Sequence, residues 1–387
     1  MSISPRGWLG LVLLLAAALL VACDPGAPPQ PPVVEDARLG FVFASDGGSM
    51  TSGSEQTMAA QMAIDEINAA GEGPRLVAFF EESEGKAAEA VERFHKLIND
   101  DKVHAIIGPT LSAEARAAHP VAQRASVPVL AVSNTAGGIT DVGDYIFRVS
   151  LPEAKVIPTT VAIAKDKLKV SEVCLLYELD DAFSRAEAEV FKAELDKKGV
   201  KVLGELTFSQ ADTDFTPQLR AIKELKPDAI VVSALAGPSQ QILHQARNDV
   251  GIGSGVYIIG GFGFTAPQVI EDHEAAEGLV VGVAWSPASP DKVSQKFVAE
   301  YEKRTGKPPG QLGAQAYAGV YIAYDAIERA NIQGKTLAEV RSAIKDNLRG
   351  TSDLATVLGP FSFADKREPK HLPVVQVFMG GRFEAVK

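Results

Sequence analysis

Two short polar clusters hold the side chains best suited to seating a ligand. In Ile107-Gly108-Pro109-Thr110-Leu111-Ser112 an apolar run ends in a turn, and a helix is predicted from about Ser112. The first turn of a helix has unpaired N–H groups at the positive end of its dipole, which suits a carboxylate. Ser112 could add its hydroxyl and amide to that setting, or it could only cap its own helix. In Val129-Leu130-Ala131-Val132-Ser133-Asn134-Thr135 a second apolar run ends in three polar side chains, Ser133, Asn134 and Thr135. The Ser- and Gly-rich stretch 45–54 is a third candidate, although Ser52 and Glu55 have capping-box spacing, so its structural reading is strong. Catalytic constellations are missing. His95, His104, His119, His244, His273 and His371 show no metal-ligand spacing, and there is no HExxH motif, nucleophile elbow or P-loop. Gly260-Gly261-Phe262-Gly263 follows an apolar run without the spacing of a dinucleotide fingerprint and reads as a turn. No cofactor and no metal are expected, and an enzyme is disfavoured.

The elements that must position these clusters alternate in type. Leu39–Ala44, Leu76–Phe80, Val103–Ile107 and Val127–Val132 read as buried strands, separated by helices at Thr57–Ala69, Ala87–Asn99 and from Ser112. Apolar strands between amphipathic helices predict an α/β fold with a parallel sheet covered on both faces. In such sheets ligands bind beyond the carboxyl ends of the strands, where Ser112 and Ser133–Thr135 fall. After Tyr145–Ser150 the rhythm restarts, with strands at Val173–Tyr177, Val200–Phe208, Ala229–Ala234 and Val256–Ile259 and helices at Arg185–Lys197, Phe215–Leu225 and Gln240–Asn248. Beyond Gly278–Trp285 come helices near 291–304, 312–330 and 336–348 and a terminal strand pair; the first sheet is the natural one for these helices to cover.

The N-terminus carries a different chemistry. Arg6 precedes the apolar run Trp8 to Val21, then Ala22 and Cys23, the pattern of a secretory signal. That run is shorter than the roughly 20 residues needed to span a bilayer. Leu20-Val21-Ala22-Cys23 resembles the lipobox of bacterial lipoproteins, which implies cleavage of the signal 1–22 and lipid modification of Cys23. Pro25, Pro28, Pro29, Pro31 and Pro32 make 23–36 a semi-rigid linker between that anchor and a folded body. The body is expected outside the cytoplasm, at the periplasmic face of the inner membrane if the cell is Gram-negative. Cys174, the only other cysteine, lies in an apolar run and is expected to be a buried thiol. A net charge of −11 argues against nucleic acid as a partner.

Several motifs together resemble a known family. They are Ala63-Ile64-Asp65-Glu66-Ile67-Asn68-Ala69, Ile106-Ile107-Gly108-Pro109, Val127-Pro128-Val129, Tyr145-Ile146-Phe147-Arg148, Asp214-Phe215, Gln245-Ala246-Arg247, Glu277-Gly278 and Leu358-Gly359-Pro360. Each is weak alone, but their order from about residue 37 to the C-terminus resembles the type I periplasmic solute-binding proteins of the leucine/isoleucine/valine-binding family. The resemblance implies two doubly wound parallel-sheet lobes joined by three crossovers and closing on a solute. Lobe 1 would be 37–150 plus 286–357 and lobe 2 would be 151–285 plus 358–387. Hinges would lie near Ser150–Pro152, Ala284–Pro287 and Leu358–Pro360. The implied partner is the membrane permease of an ABC importer.

Site roles carried over from the family place Ser112 at the ligand's carboxylate, Thr135 near its carboxylate and ammonium, and Phe183 as a second-lobe aromatic. Two aromatic positions fall instead on Ser52 and Leu235, and the acid that neutralises an ammonium falls on Phe262. A buried ammonium without a counter-charge costs several kcal/mol. The cleft therefore suits a small organic acid or another apolar solute better than a free amino acid, unless Asp46, Glu178, Asp180 or Asp181 supplies the charge. Two other uses of the fold stay open: a lipoprotein that serves as a protein-interaction module, and a ligand sensor.

Overall fold

The computed structural model describes residues 35–45 and 50–386. Cys23, the signal, Asp46 and most of the linker lie outside them. The chain opens with β1 (Ala37–Phe43), α1 (Met50–Ala70), β2 (Leu76–Glu82), α2 (Ala87–Asn99), β3 (Ala105–Ile107), α3 (Ser112–Arg124), β4 (Val129–Ala131) and β5 (Ile146–Arg148). These strands form one sheet in the order β2-β1-β3-β4-β5, parallel throughout. The central strands are buried because helices cover both faces, which is why they read as unbroken apolar runs.

A second set follows: α4 (Glu153–Asp166), β6 (Glu172–Glu178), α5 (Ala182–Lys198), β7 (Lys201–Phe208), α6 (Thr216–Leu225), β8 (Ala229–Ser233), α7 (Ala236–His244), β9 (Tyr257–Gly260), α8 (His273–Ala276) and β10 (Leu279–Val283). The chain ends with α9 (Lys292–Thr305), α10 (Gln311–Ala330), α11 (Leu337–Arg349), a short hairpin of β11 (Leu354–Thr356) and β12 (Gly359–Phe361), and finally β13 (Val374–Met379) and β14 (Arg382–Ala385). The second sheet runs β14-β13-β10-β9-β8-β6-β7, with the last two strands of the chain added antiparallel to a parallel core. This is an α/β protein of two doubly wound lobes.

The helices α9, α10 and α11 return to the first sheet. Phe297, Tyr317, Ile327 and Ile344 share one core with Phe41, Leu130 and Phe147. Helix α10 is buried along nearly its whole length, as expected of a helix apolar on all sides, and Gly313 lets Glu55 of α1 pack closely on it. Two crossings between the lobes fall at 149–152 and around Ala284, where Trp285 enters the first core and its Nε1 donates to Ser294 Oγ at 2.8 Å.

The third crossing differs from expectation. Leu358–Pro360 lies in the β11–β12 hairpin, and Phe361 and Phe363 are buried in the first lobe's core. Arg367 then donates to the carbonyls of Ile146 and Thr140, and Glu368 pairs with Arg148. Residues up to about 369 therefore belong with lobe 1, and the passage to the second sheet ends at β13. Phe361 and Phe363, two aromatic rings that need burial beside Phe147, keep this segment with the first core beyond the hinge position implied by the family resemblance.

Helix α1 also starts earlier than its apolar pattern suggests. Ser52 lies inside it rather than at its cap, and no side-chain contact of Ser52 is described. Glu55 does not close a box with Ser52; its Oε1 accepts from the N–H groups of Gly310 and Gly313 at 2.6 and 2.9 Å, serving the N-terminus of α10 instead. Gly53 is required where α1 meets the end of β1, because a Cβ there would lie 2.1 Å from Ala44 O.

Candidate ligand-binding site

The first-lobe wall is built from the loops that follow β3 and β4. Ser112 opens α3, and its Oγ accepts from the N–H of Ala136 at 3.4 Å, which ties the two predicted clusters together. Thr135 is buried, and its hydroxyl lies against the carboxyl of Glu153, to which it donates. Ser133 and Asn134 are deeper. Ser133 Oγ donates to Thr110 O at 2.7 Å and accepts from Gln56 Nε2 at 3.0 Å, while Asn134 Nδ2 donates to Pro109 O at 2.9 Å. These two side chains fasten the β4 loop to the β3 loop, so within this wall Ser112 and Thr135 are the members left to meet a ligand.

Arg148, at the end of β5, locks the wall from behind. Its Nη1 donates to Asn134 O and Ala136 O at 3.2 and 2.6 Å, the carbonyls on either side of Thr135. Its Nε and Nη2 donate to the two carboxylate oxygens of Glu368 at 2.9 and 2.6 Å. A planar fork fits two carbonyls and a bidentate carboxylate at once, which a lysine could not do. On the same strap, Lys155 Nζ of the second lobe donates to Pro369 O at 2.6 Å. The threonine loop and the third crossing are thus held by one guanidinium.

The second-lobe wall is apolar on its surface. Phe183, in the first turn of α5, meets Phe262 after β9 edge to face, with ring centroids 6.1 Å apart. Leu235 caps α7 beside Gly263, so its backbone borders the Phe262 loop. Phe262 and Thr135 line one narrow cavity between the lobes with Glu153, Leu151, Gln311 and Gln315. Of the eight candidate ligand positions, Ser112 and Thr135 come together on one wall, and Phe183, Leu235 and Phe262 gather on the other.

Two carboxyl groups went unnoticed in the sequence. Glu187 of α5 is 1% exposed; its Oε2 accepts from Ser233 Oγ at 2.5 Å and its Oε1 from the N–H of Phe262 at 2.7 Å. It can reach that backbone only because residue 261 is glycine: a Cβ there would sit 2.0 Å from Glu187 Oε2. Glu153, in the first turn of α4, faces Glu187 from the cavity wall, and its own N–H donates to Thr135 O at 3.1 Å. Burial pushes Glu187 up to about 7, partly offset by the bonds from Ser233 and Phe262. Burial, then the charge of Glu187, raises Glu153 well above the usual carboxylate range. Two like charges this close in a low dielectric share a proton rather than both ionise.

The acids proposed from sequence have other duties. Asp181 caps α5 by accepting from Ser184 N at 2.7 Å, and Asp180 accepts from Gln210 N at 3.3 Å. Glu178 is buried at the end of β6 without a hydrogen-bond partner, and burial and the two aspartates lift it to about 6. Among the described residues no group of three or more His, Cys, Asp or Glu side chains could hold a metal ion.

Residues 36–381 match the model of a family described as periplasmic binding protein. The chain is a type I periplasmic binding protein of the leucine/isoleucine/valine-binding family. This binding protein is 23% identical over 363 residues to the Leu/Ile/Val-binding protein homolog 7 of Brucella suis, covering 86% of this chain and 85% of that one. It is 24% identical over 360 residues to the Leu/Ile/Val-binding protein of Escherichia coli, covering 91% and 93%. The structure of the branched-chain amino acid transporter substrate-binding protein LivJ from Streptococcus pneumoniae, in complex with isoleucine, superposes with a TM-score of 0.82 at 26% identity, covering 91% of this chain and 98% of that one. These relatives bind solutes and are not enzymes, and the binding protein shares that character.

Proposed function

We propose that this binding protein is the extracytoplasmic receptor of an ABC importer of the branched-chain-amino-acid type. It closes its lobes on a small solute with a carboxylate and an apolar body, either an amino acid or a deaminated or amide relative, and delivers it to the permease. The observation that carries this reading is the cavity that Thr135 and Phe262 line together, with Ser112 at the N-terminus of α3 bonded beside Thr135 and Phe183 packed on Phe262. A helix N-terminus receives the carboxylate, and the rings cover the apolar remainder. Closure follows because one ligand gains contacts from both lobes at once. Relatives that bind leucine, isoleucine or valine support this substrate size.

Membrane attachment through Cys23, after removal of 1–22, is part of the same proposal, with the lobes divided near the three crossings described above. No helix of the described residues is long and apolar enough to cross a membrane. Replacing Cys23 with alanine is expected to move the protein from the membrane to the soluble extracytoplasmic fraction; retention on the membrane would contradict the anchor. The function itself is tested by thermal unfolding against branched and aromatic amino acids, their deaminated acids and their amides. A solute at one hundred times its Kd adds about 2.7 kcal/mol, enough to raise the melting temperature clearly. No rise with any member of the panel would contradict this solute class.

A further inference from the structure

The cavity between the walls is lined by hydrogen-bond acceptors. Gln315 Oε1 is buried without a partner and lines it, and the Thr135 hydroxyl lines it beside the Glu153 carboxyl, to which it donates. Glu153 lines it too, with Glu187 directly behind, and nothing on the second-lobe wall balances the pair. The charged groups facing these two carboxyls are Arg148 on β5, committed to Glu368 and two carbonyls, and Asp181 at the start of α5, which adds to the negative field. An unpartnered amide oxygen beside a carboxyl pair with no cation of its own suits a donor that carries positive charge.

We propose that Glu153, supported by Glu187, seats the ammonium group of the ligand, in place of an acid at position 262. This rests on the cleft being the solute site. Ser112 is bonded to the N–H of Ala136, and Glu153 is bonded through its own N–H to Thr135 O and through its carboxyl to the Thr135 hydroxyl, so both residues are tied to the same two-residue stretch of loop. Glu187 is a positioning residue: fixed by Ser233 and Phe262 N, it holds Glu153 toward the cavity. An ammonium arriving at the pair takes over the role of the shared proton, which leaves to solvent. Phe262, free of that task, packs on Phe183 and becomes part of the apolar wall.

The test is calorimetric titration of the full chain in detergent with two matched pairs, L-leucine against isocaproate and L-phenylalanine against hydrocinnamate. At least one amino acid is expected to bind roughly tenfold or more tighter than its deaminated partner. Its affinity should strengthen from about pH 6 to about pH 8, with about one proton released, seen as heat that depends on the buffer's ionisation enthalpy. Glu153→Gln, which keeps the shape of the protonated pair, should erase the preference for the amino acid over its deaminated partner. Glu187→Gln should weaken the preference and abolish the proton release. Equal binding of both partners, or a preference that survives Glu153→Gln in a protein of normal melting temperature, would overturn the ammonium seat and leave the carboxylate cleft standing. Failure of all four compounds to bind would sink both readings.

Discussion

The two walls of the cleft are made in opposite ways. The first-lobe wall is polar at its surface and positive in its supports: Ser112, Thr135 and the α3 N-terminus face inward, with the guanidinium of Arg148 behind them. The second-lobe wall is apolar at its surface and negative in its supports: Phe262 lines the cavity and packs on Phe183, with Glu187 behind and Glu153 at the seam. Under the proposed function, the wall of fixed donors takes the acid group common to a class of solutes. A wall of rings over a carboxyl pair reads what varies, the side chain and the presence of an amine. Specificity within the class is therefore expected to lie in the second lobe, and tolerance in the first.

The comparison breaks most sharply at Arg148. Replacing it with methionine leaves the Ala136 carbonyl unpaired and the Glu368 carboxylate without its counter-charge, held only by the Thr140 hydroxyl, and should cost about 3–5 kcal/mol in urea unfolding. A loss below about 1 kcal/mol would mean the threonine loop stands without its positive support.

The supports should also titrate with opposite sign. Buried His119 behind the first wall, its Nε2 at 3.2 Å from Gly108 O, is pushed down by burial from 6.5 to about 4. Between those values the unfolded chain binds more protons, so its contribution to stability is lost as pH falls. Glu187 is raised from 4.5 to about 7, so the folded chain binds more protons in that window and stability is lost as pH rises. Relative to the native protein, Glu187→Gln should gain roughly 2 kcal/mol between pH 5 and pH 7.5, and His119→Gln should gain as pH falls through the histidine window. Parallel profiles for both variants would remove the contrast.

A smaller effect sharpens the second wall. Gly261→Ala drives a methyl group into Glu187 and should cost about 1–3 kcal/mol. Adding Glu187→Ala should return part of that loss, a coupling readable in a double-mutant cycle. Strict additivity would place Glu187 elsewhere.

Most of the frame was legible because burial on both faces writes strands as apolar runs and amphipathic helices write their own period. The helix Ala87–Asn99 was expected at the residues where it lies, and α3 does begin at Ser112. Helix α4 was not among the predicted elements. It contains Pro158 and the β-branched Val156, Ile157, Thr159, Thr160 and Val161, a composition that hides a helix held by tertiary packing on β10. Missing that helix meant missing Glu153 in its first turn. Glu187 sits in a helix that was expected, but its sequence is studded with other acids, and periodicity does not say which one turns inward. The signal was Gly260-Gly261, read as a turn: a second glycine after a strand also marks a place where something approaches the backbone closely. The third crossing was placed by family resemblance alone, and in this chain Gly359-Pro360 lies in a hairpin that precedes two buried aromatic rings.

The central claim is that the solute's carboxylate rests at the N-terminus of α3. It is tested most directly by titrating the native protein and Ser112→Ala with the solute that most raises its melting temperature. Loss of a charge-assisted hydrogen bond predicts binding weaker by about 1–3 kcal/mol, roughly fivefold to one hundred and fifty-fold, with the melting temperature of the free protein nearly unchanged. Equal affinity for both proteins would mean that Ser112 only caps its helix, and that the carboxylate is held somewhere else.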